Sequence, residues 1–105
     1  MQCLLPETSK MQVTFRENGR VARLALPLRF VFSEHPVFRQ MLAKARSEPS
    51  VAMLELDFSR VEYLDSAALG MLRCLIDAET RLVIRLLNPC QTVRELLEMA
   101  ERQAV

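Results

Sequence analysis

The chain has 105 residues, half of them hydrophobic, and its 14 basic and 13 acidic side chains leave a formal charge of +1. A chain of this length forms one domain and buries somewhat more than about 60% of the surface its unfolded form exposes, so it folds without metal or disulfide staples. The charge balance argues against nucleic acid as the main partner, because phosphate binding needs a basic excess. No apolar run approaches the roughly 18 residues of a membrane helix, so direct membrane insertion is not expected.

The first ten residues, MQCLLPETSK, lack a basic start and a long apolar core. They read as a flexible leader rather than a signal peptide. Residues 11–105 then read as a single domain. MQVTF (11–15) alternates as a strand does, Asn18-Gly19 marks a hairpin turn, and VARLAL (21–26) is the returning strand, with PLRFVF extending or bending it past Pro27. In SEHPVFRQMLAKARSEP the period changes: Phe38, Met41, Leu42 and Ala45 recur at helical spacing, with Ser33 as a cap and Pro36 in the first turn. The single histidine, His35, stands at that helix start. VAMLELDF (51–58) is nearly all apolar, as in a strand buried on both faces, and VEYL (61–64) is a short extended piece.

From Ser66 to Ala78 the pattern is helical, with Ala68, Leu72, Leu75 and Ile76 as the core stripe. RLVIRLL (81–87) reads as another buried strand. Asn88-Pro89 supplies a cap and a first-turn proline, and Val93, Leu96, Leu97 and Ala100 form the stripe of a last helix. The order β-β-α-β-α-β-α implies right-handed crossovers and an α/β fold: a mixed, mostly parallel sheet of four to five strands, opened by a hairpin, with about three main helices.

Little in the chain looks like catalysis. The three cysteines, Cys3, Cys74 and Cys90, are odd in number and widely spaced, which points to reduced thiols and a cytoplasmic protein rather than a metal site or disulfide framework. Cys74 follows Arg73, but adjacent helical residues do not face each other, so the arginine does not activate the thiol. The stretch DFSRVEYLDSAALG (57–70) stands out instead. In an open α/β sheet the working edge lies where strands end and helices begin, and Asp57 and Ser66 fall there, with Asp65 as an acidic residue at the positive end of the helix. Ser66 can cap the helix, at about 1 kcal/mol. It can also carry a phosphate, which a helix N-terminus accommodates through its free N–H groups and dipole. A phosphate adds about −1.5 to −2 charges and alters docking without altering the fold. Leu69 lies off the core stripe with Arg73 and Asp77, so it reads as an exposed docking side chain, and Gly70 permits close approach. Two loop aspartates read as caps, not magnesium ligands, and neither a metal nor a cofactor is expected.

DFSRVEYLDSAALGML (57–72) resembles the signature segment of the STAS domain, the fold of bacterial anti-sigma factor antagonists. That pattern is a hydrophobic strand ending in Asp, a short hydrophobic turn, and Asp-Ser-Ser-Gly-Leu-Gly opening a helix. The hairpin, PLRFVFS, RLVIRLLN and VRELLEMA follow in the family's order, so the resemblance spans most of the chain. It implies that Ser66 is the phosphate acceptor. The family's second hydroxyl and first glycine are Ala67 and Ala68 here, whereas Leu69 and Gly70 match. It further implies a partner switch. A serine kinase, often the anti-sigma factor itself, phosphorylates Ser66, a serine phosphatase reverses this, and the unphosphorylated form binds the anti-sigma factor or another target. Asp57, Ser59, Asp65, Ala67, Leu69, Gly70 and Arg73 form the expected partner surface; a homodimer stays open. The chain is then substrate and ligand, not an enzyme. The alternative is a STAS subunit of a lipid- or anion-transport complex that docks without chemistry.

Overall fold

The computed structural model describes residues 11–78 and 81–103, with side chains followed as far as Met99. The expected leader and Cys3 lie outside the described residues. Strands β1 (Gln12–Arg16) and β2 (Val21–Ala25) form the hairpin, with Arg16 opposite Val21 as the last pair. The turn is longer than a two-residue Asn-Gly turn. Glu17, Asn18 and Gly19 all take positive φ, at 52°, 59° and 85°. Gly19 N–H donates to the Arg16 carbonyl at 3.0 Å. A Cβ at Gly19 would stand 2.9 Å from the Ser50 hydroxyl oxygen, so both the backbone angle and the space favour glycine.

After buried Pro27 the chain leaves the main sheet. Strand β3 (Arg29–Phe30) pairs in parallel with β5 (Tyr63–Leu64) as a separate two-stranded sheet, so neither PLRFVF nor VEYL extends the main one. A 3-10 turn (Phe32–Glu34) then leads into helix α1 (His35–Arg46). Ser33 sits inside that turn and does not cap α1, whose N-cap position is Glu34; Pro36 is in the first helical turn. Phe38, Leu42 and Ala45 are the buried face of α1, as the spacing predicts.

Strand β4 (Met53–Asp57) lies between β2 and β6 (Val83–Leu87), parallel to both, giving the order β1-β2-β4-β6. Helices α2 (Ser66–Ala78) and α3 (Gln91–Gln103) are the remaining elements of the described residues. Among the described residues the sheet is therefore mixed, four-stranded and mostly parallel, with three main helices. Alternation divides its faces. The row Val13, Leu24, Leu56 and Leu86 points into the core with the row Ala22, Leu54 and Ile84. The same core takes in Phe38 and Leu42 from α1, Ala68, Leu72 and Leu75 from α2, and Val93 from α3. Phe30 joins Phe38 edge to face, with centroids 5.1 Å apart. Burying each such large side chain contributes about 1.5–3 kcal/mol.

The opposite sheet face carries Thr14, Arg23, Glu55 and Arg85 in one row. β4 is central and buried on both faces, as the run VAMLELDF predicts, with Leu54 and Leu56 on the core side and Glu55 on the other. Glu55 lies beneath Arg23, 3.0 Å away, and Arg16, 3.5 Å away. The expectation for β6 is corrected. β6 is not a buried strand. It is the sheet edge, and Val83 is 57% exposed. α2 also departs from expectation: Ile76 is 43% exposed rather than part of the core stripe. The start of α3 differs too, for the helix begins at Gln91. Asn88 does not cap it but stands at φ 57°, and the Arg94 N–H donates to the Cys90 carbonyl.

Candidate functional site

The carboxyl ends of β4 and β5 place two aspartates, and the chain turns differently at each. Asp57 ends β4. Its Oδ1 accepts the Ser59 N–H at 3.0 Å and the Asn88 side-chain amide at 3.5 Å. Partial burial pushes the Asp57 carboxyl up, but hydrogen bonds from Ser59 and Asn88, with the charge of Arg23, outweigh it and hold the group below its ordinary value. Asp57, exposed Ser59 and Asn88 thus form one polar cluster that closes the turn after β4.

Asp65 follows β5 and sits one residue before α2. Its Oδ1 accepts the Ala68 N–H at 2.8 Å, and its carbonyl accepts the Leu69 N–H at 3.1 Å. Asp65 is therefore the helix cap, a role its negative charge suits at the positive end of the helix dipole. Its second oxygen, Oδ2, accepts the Phe32 N–H at 3.1 Å across 33 residues. One carboxylate thereby ties the start of α2 to the 3-10 turn before α1. No hydrogen bond joins the Asp57 and Asp65 clusters among the described residues.

Ser66 is the first residue of α2 and is exposed. Asp65, not Ser66, closes the helix start, so the serine hydroxyl is not needed as a cap. It has no hydrogen bond within the described residues. Ala67 is half-buried, and Gly70 is exposed with no atom within 4 Å of where a Cβ would stand. Arg73 and Asp77 pair one turn apart at 2.9 Å. Leu69 departs from its sequence reading: it is half-buried and packs against the core. It lies beside buried Ala68 and Leu72, whereas Ile76, two turns further on the same flank, is the exposed apolar residue.

The exposed apolar groups near Ser66 come instead from β3, β5 and the 3-10 turn. Phe32 is 64% exposed and stacks on the His35 ring, with centroids 6.0 Å apart and planes 6° apart. The Arg29 guanidinium lies 5.0 Å from the centre of the Tyr63 ring, which is also exposed. Leu28 is exposed just before β3. The sequence leaves Phe30, Phe32 and Phe38 as core or interface, and the structure divides them: Phe30 and Phe38 are core and Phe32 is surface. Strand alternation places Phe30 and Phe32 on one side, and only the 3-10 turn separates them, so no signal in the residue types marks Phe32 or Tyr63.

Among the described residues no three His, Cys, Asp or Glu side chains cluster as a metal site, and Cys74 and Cys90 are free and exposed. No helix of the described residues is long and apolar enough to cross a membrane.

Comparison with known proteins places this geometry. A family model described as Mlab, STAS domain, matches residues 13–103. The solved structure of the anti-sigma factor antagonist SpoIIAA in its unphosphorylated form superposes with a TM-score of 0.58. It is 22% identical over 85% of this chain and 82% of that one. The murine anion transporter Slc26a9 in its inward-facing state matches with a TM-score of 0.63 and 22% identity. That match covers 76% of this chain, which spans only 14% of the transporter's length. These two likenesses are of fold. No curated protein sequence matches the chain.

Proposed function

The chain belongs to the STAS-domain family, and from that premise we propose that it is an anti-sigma factor antagonist, a cytoplasmic partner switch controlled by phosphorylation of Ser66. One observation carries the reading. Ser66 is exposed at the first turn of α2 with its hydroxyl unengaged, because Asp65 already supplies the cap. The amide of Ala68 is taken by Asp65, but the first turn still offers backbone donors and a dipole to an arriving phosphate.

In the transfer, Ser66 Oγ bonds to the γ-phosphorus of ATP held by the partner kinase. The bond from that phosphorus to the β–γ bridging oxygen breaks, ADP leaves, and the hydroxyl proton passes to a kinase base. A serine phosphatase reverses the modification by hydrolysis. The chain itself supplies only the acceptor and the surface and is not an enzyme. The unmodified form binds the anti-sigma factor through the α2 mouth (Asp65, Ala67, Gly70 and Arg73) and the neighbouring edge at Asp57 and Ser59. Leu69 contributes by positioning that turn against the core. A dianion on Ser66 places new charge in the docking surface beside Asp65 and releases the partner.

The test is intact-mass measurement after incubation with a candidate anti-sigma factor kinase and ATP, followed by site mapping. One phosphate on Ser66, absent from Ser66→Ala, is expected. Unmodified Ser66, or phosphate elsewhere, contradicts the proposal.

The likeness to part of an anion transporter favours one second reading, a docking subunit of a lipid- or anion-transport assembly. On that reading the chain copurifies stoichiometrically with an ATPase or membrane partner, and neither Ser66→Ala nor Ser66→Glu changes the complex.

A further inference from the structure

The Asp65 carboxylate serves two clients that belong to different parts of the fold. Oδ1 holds the Ala68 N–H at the start of α2, and Oδ2 holds the Phe32 N–H at 3.1 Å. Capping α2 requires only the first. The second reaches the 3-10 turn whose Phe32 is 64% exposed and stacked on His35. The pairing of Phe30 with Leu64 brings the two segments side by side but ends there, so the Phe32–Asp65 bond is the next link after the last strand pair. We propose that Asp65 is a latch that holds the exposed Phe32–His35 stack against the mouth of α2 and transmits the charge state of Ser66 to it.

This inference rests on Ser66 being the modified residue. A phosphate there sets a dianion on the residue adjacent to the Asp65 carboxylate. Its oxygens compete for the same first-turn amides, and like-charge repulsion favours a retreat of Asp65 from the pair. The Phe32 N–H bond lies at the exposed start of the 3-10 turn, whose other end is anchored by buried Glu34. Its loss loosens that start and changes the presentation of the Phe32 ring against His35. Modification therefore acts on a partner twice: by charge at Ser66, and by moving an aromatic surface that the modified residue does not itself form.

Asp65→Asn separates the two bonds. Asparagine caps a helix about as well as aspartate, so its oxygen keeps the Ala68 N–H. Its amide group is a donor and cannot accept the Phe32 N–H. Amide signals of Phe32 and Ala68 are followed by NMR in the full chain, with serine or phosphoserine built in at position 66 during synthesis. In Asp65→Asn we expect the Phe32 amide to move upfield and exchange roughly tenfold faster while Ala68 stays protected. Phosphoserine in the wild-type background is expected to shift Phe32 the same way, and in Asp65→Asn to shift it no further.

A Phe32 amide indifferent to Asp65→Asn, or to phosphoserine, overturns the latch. So does a phosphoserine shift of equal size in Asp65→Asn, which requires another route. Because the phosphoserine is built in, refusal of Ser66 by a kinase contradicts the proposed function and leaves this result readable.

Discussion

Asp57 and Asp65 look interchangeable in the sequence, each an acidic residue closing a hydrophobic run just before a serine or a phenylalanine-serine pair. In the fold they do different things. Asp57 holds the Ser59 N–H two residues away and the Asn88 amide from the loop after β6, so it finishes its own corner of the sheet. Asp65 caps α2 and reaches 33 residues back to Phe32. Both carboxylates reach a distant segment, but the Asp57–Asn88 contact is long, at 3.5 Å, and joins the ends of two neighbouring strands. Asp65 joins the starts of two helical segments that do not share a strand pair, at 3.1 Å and 2.8 Å. That difference, more than residue type, singles out the α2 mouth as the place where a change at one residue reaches another.

Alanine at each position gives the sharpest contrast. Asp65→Ala removes both the cap and the long-range tie, and we expect it to cost about 2 kcal/mol of unfolding free energy. Asp57→Ala is expected to cost about half of that, roughly 1 kcal/mol, because it removes one good hydrogen bond, from the Ser59 N–H, and the long 3.5 Å contact from Asn88, but no helix cap. Equal costs by urea denaturation would erase the distinction.

Gly70→Ala comes next. No atom lies within 4 Å of the added Cβ. The variant should gain about 1 kcal/mol from helix propensity alone. If Gly70 is where a partner approaches closely, the same variant loses partner affinity while melting at a higher temperature. A gain on both counts removes Gly70 from the docking surface.

Acid titration sharpens the Asp57 side. Its carboxyl lies below its ordinary value in the folded chain, so the carboxylate contributes stability above the unfolded value near 3.8. That contribution fades as pH falls through the lower folded value. Carbon-13 NMR of the side chain should show the depressed midpoint, and Asn88→Ala should raise it. A midpoint at or above the unfolded value contradicts the hydrogen-bond cluster. The smallest effect is Arg73→Ala, which breaks one exposed pair along α2 and should change stability by only about 0.3–0.5 kcal/mol.

The sequence carries the helices well because burial at helical spacing is a local requirement. Phe38, Leu42 and Ala45 in α1, and Ala68, Leu72 and Leu75 in α2, are buried where their period puts them. The hairpin is visible for the same reason, although Glu17 joins Asn18 and Gly19 at positive φ. Strand exposure is less legible. The runs MLELD and VIRLL have similar apolar character, yet one is central and the other an edge, and strand order decides that rather than composition. The helix cap is ambiguous by one residue between Asp65 and Ser66, and only the backbone entering α2 chooses Asp65. Asn88 and Phe32 are invisible as site residues because their partners, Asp57 and Asp65, are 31 and 33 residues away.

The decisive measurement is the affinity of a candidate anti-sigma factor for the chain carrying serine, and then phosphoserine, at position 66, by titration calorimetry at one salt concentration. We expect the unmodified chain to bind and the phosphorylated chain to bind at least about tenfold more weakly, a difference of roughly 1.4 kcal/mol. Equal affinities for the two forms would contradict a switch at Ser66.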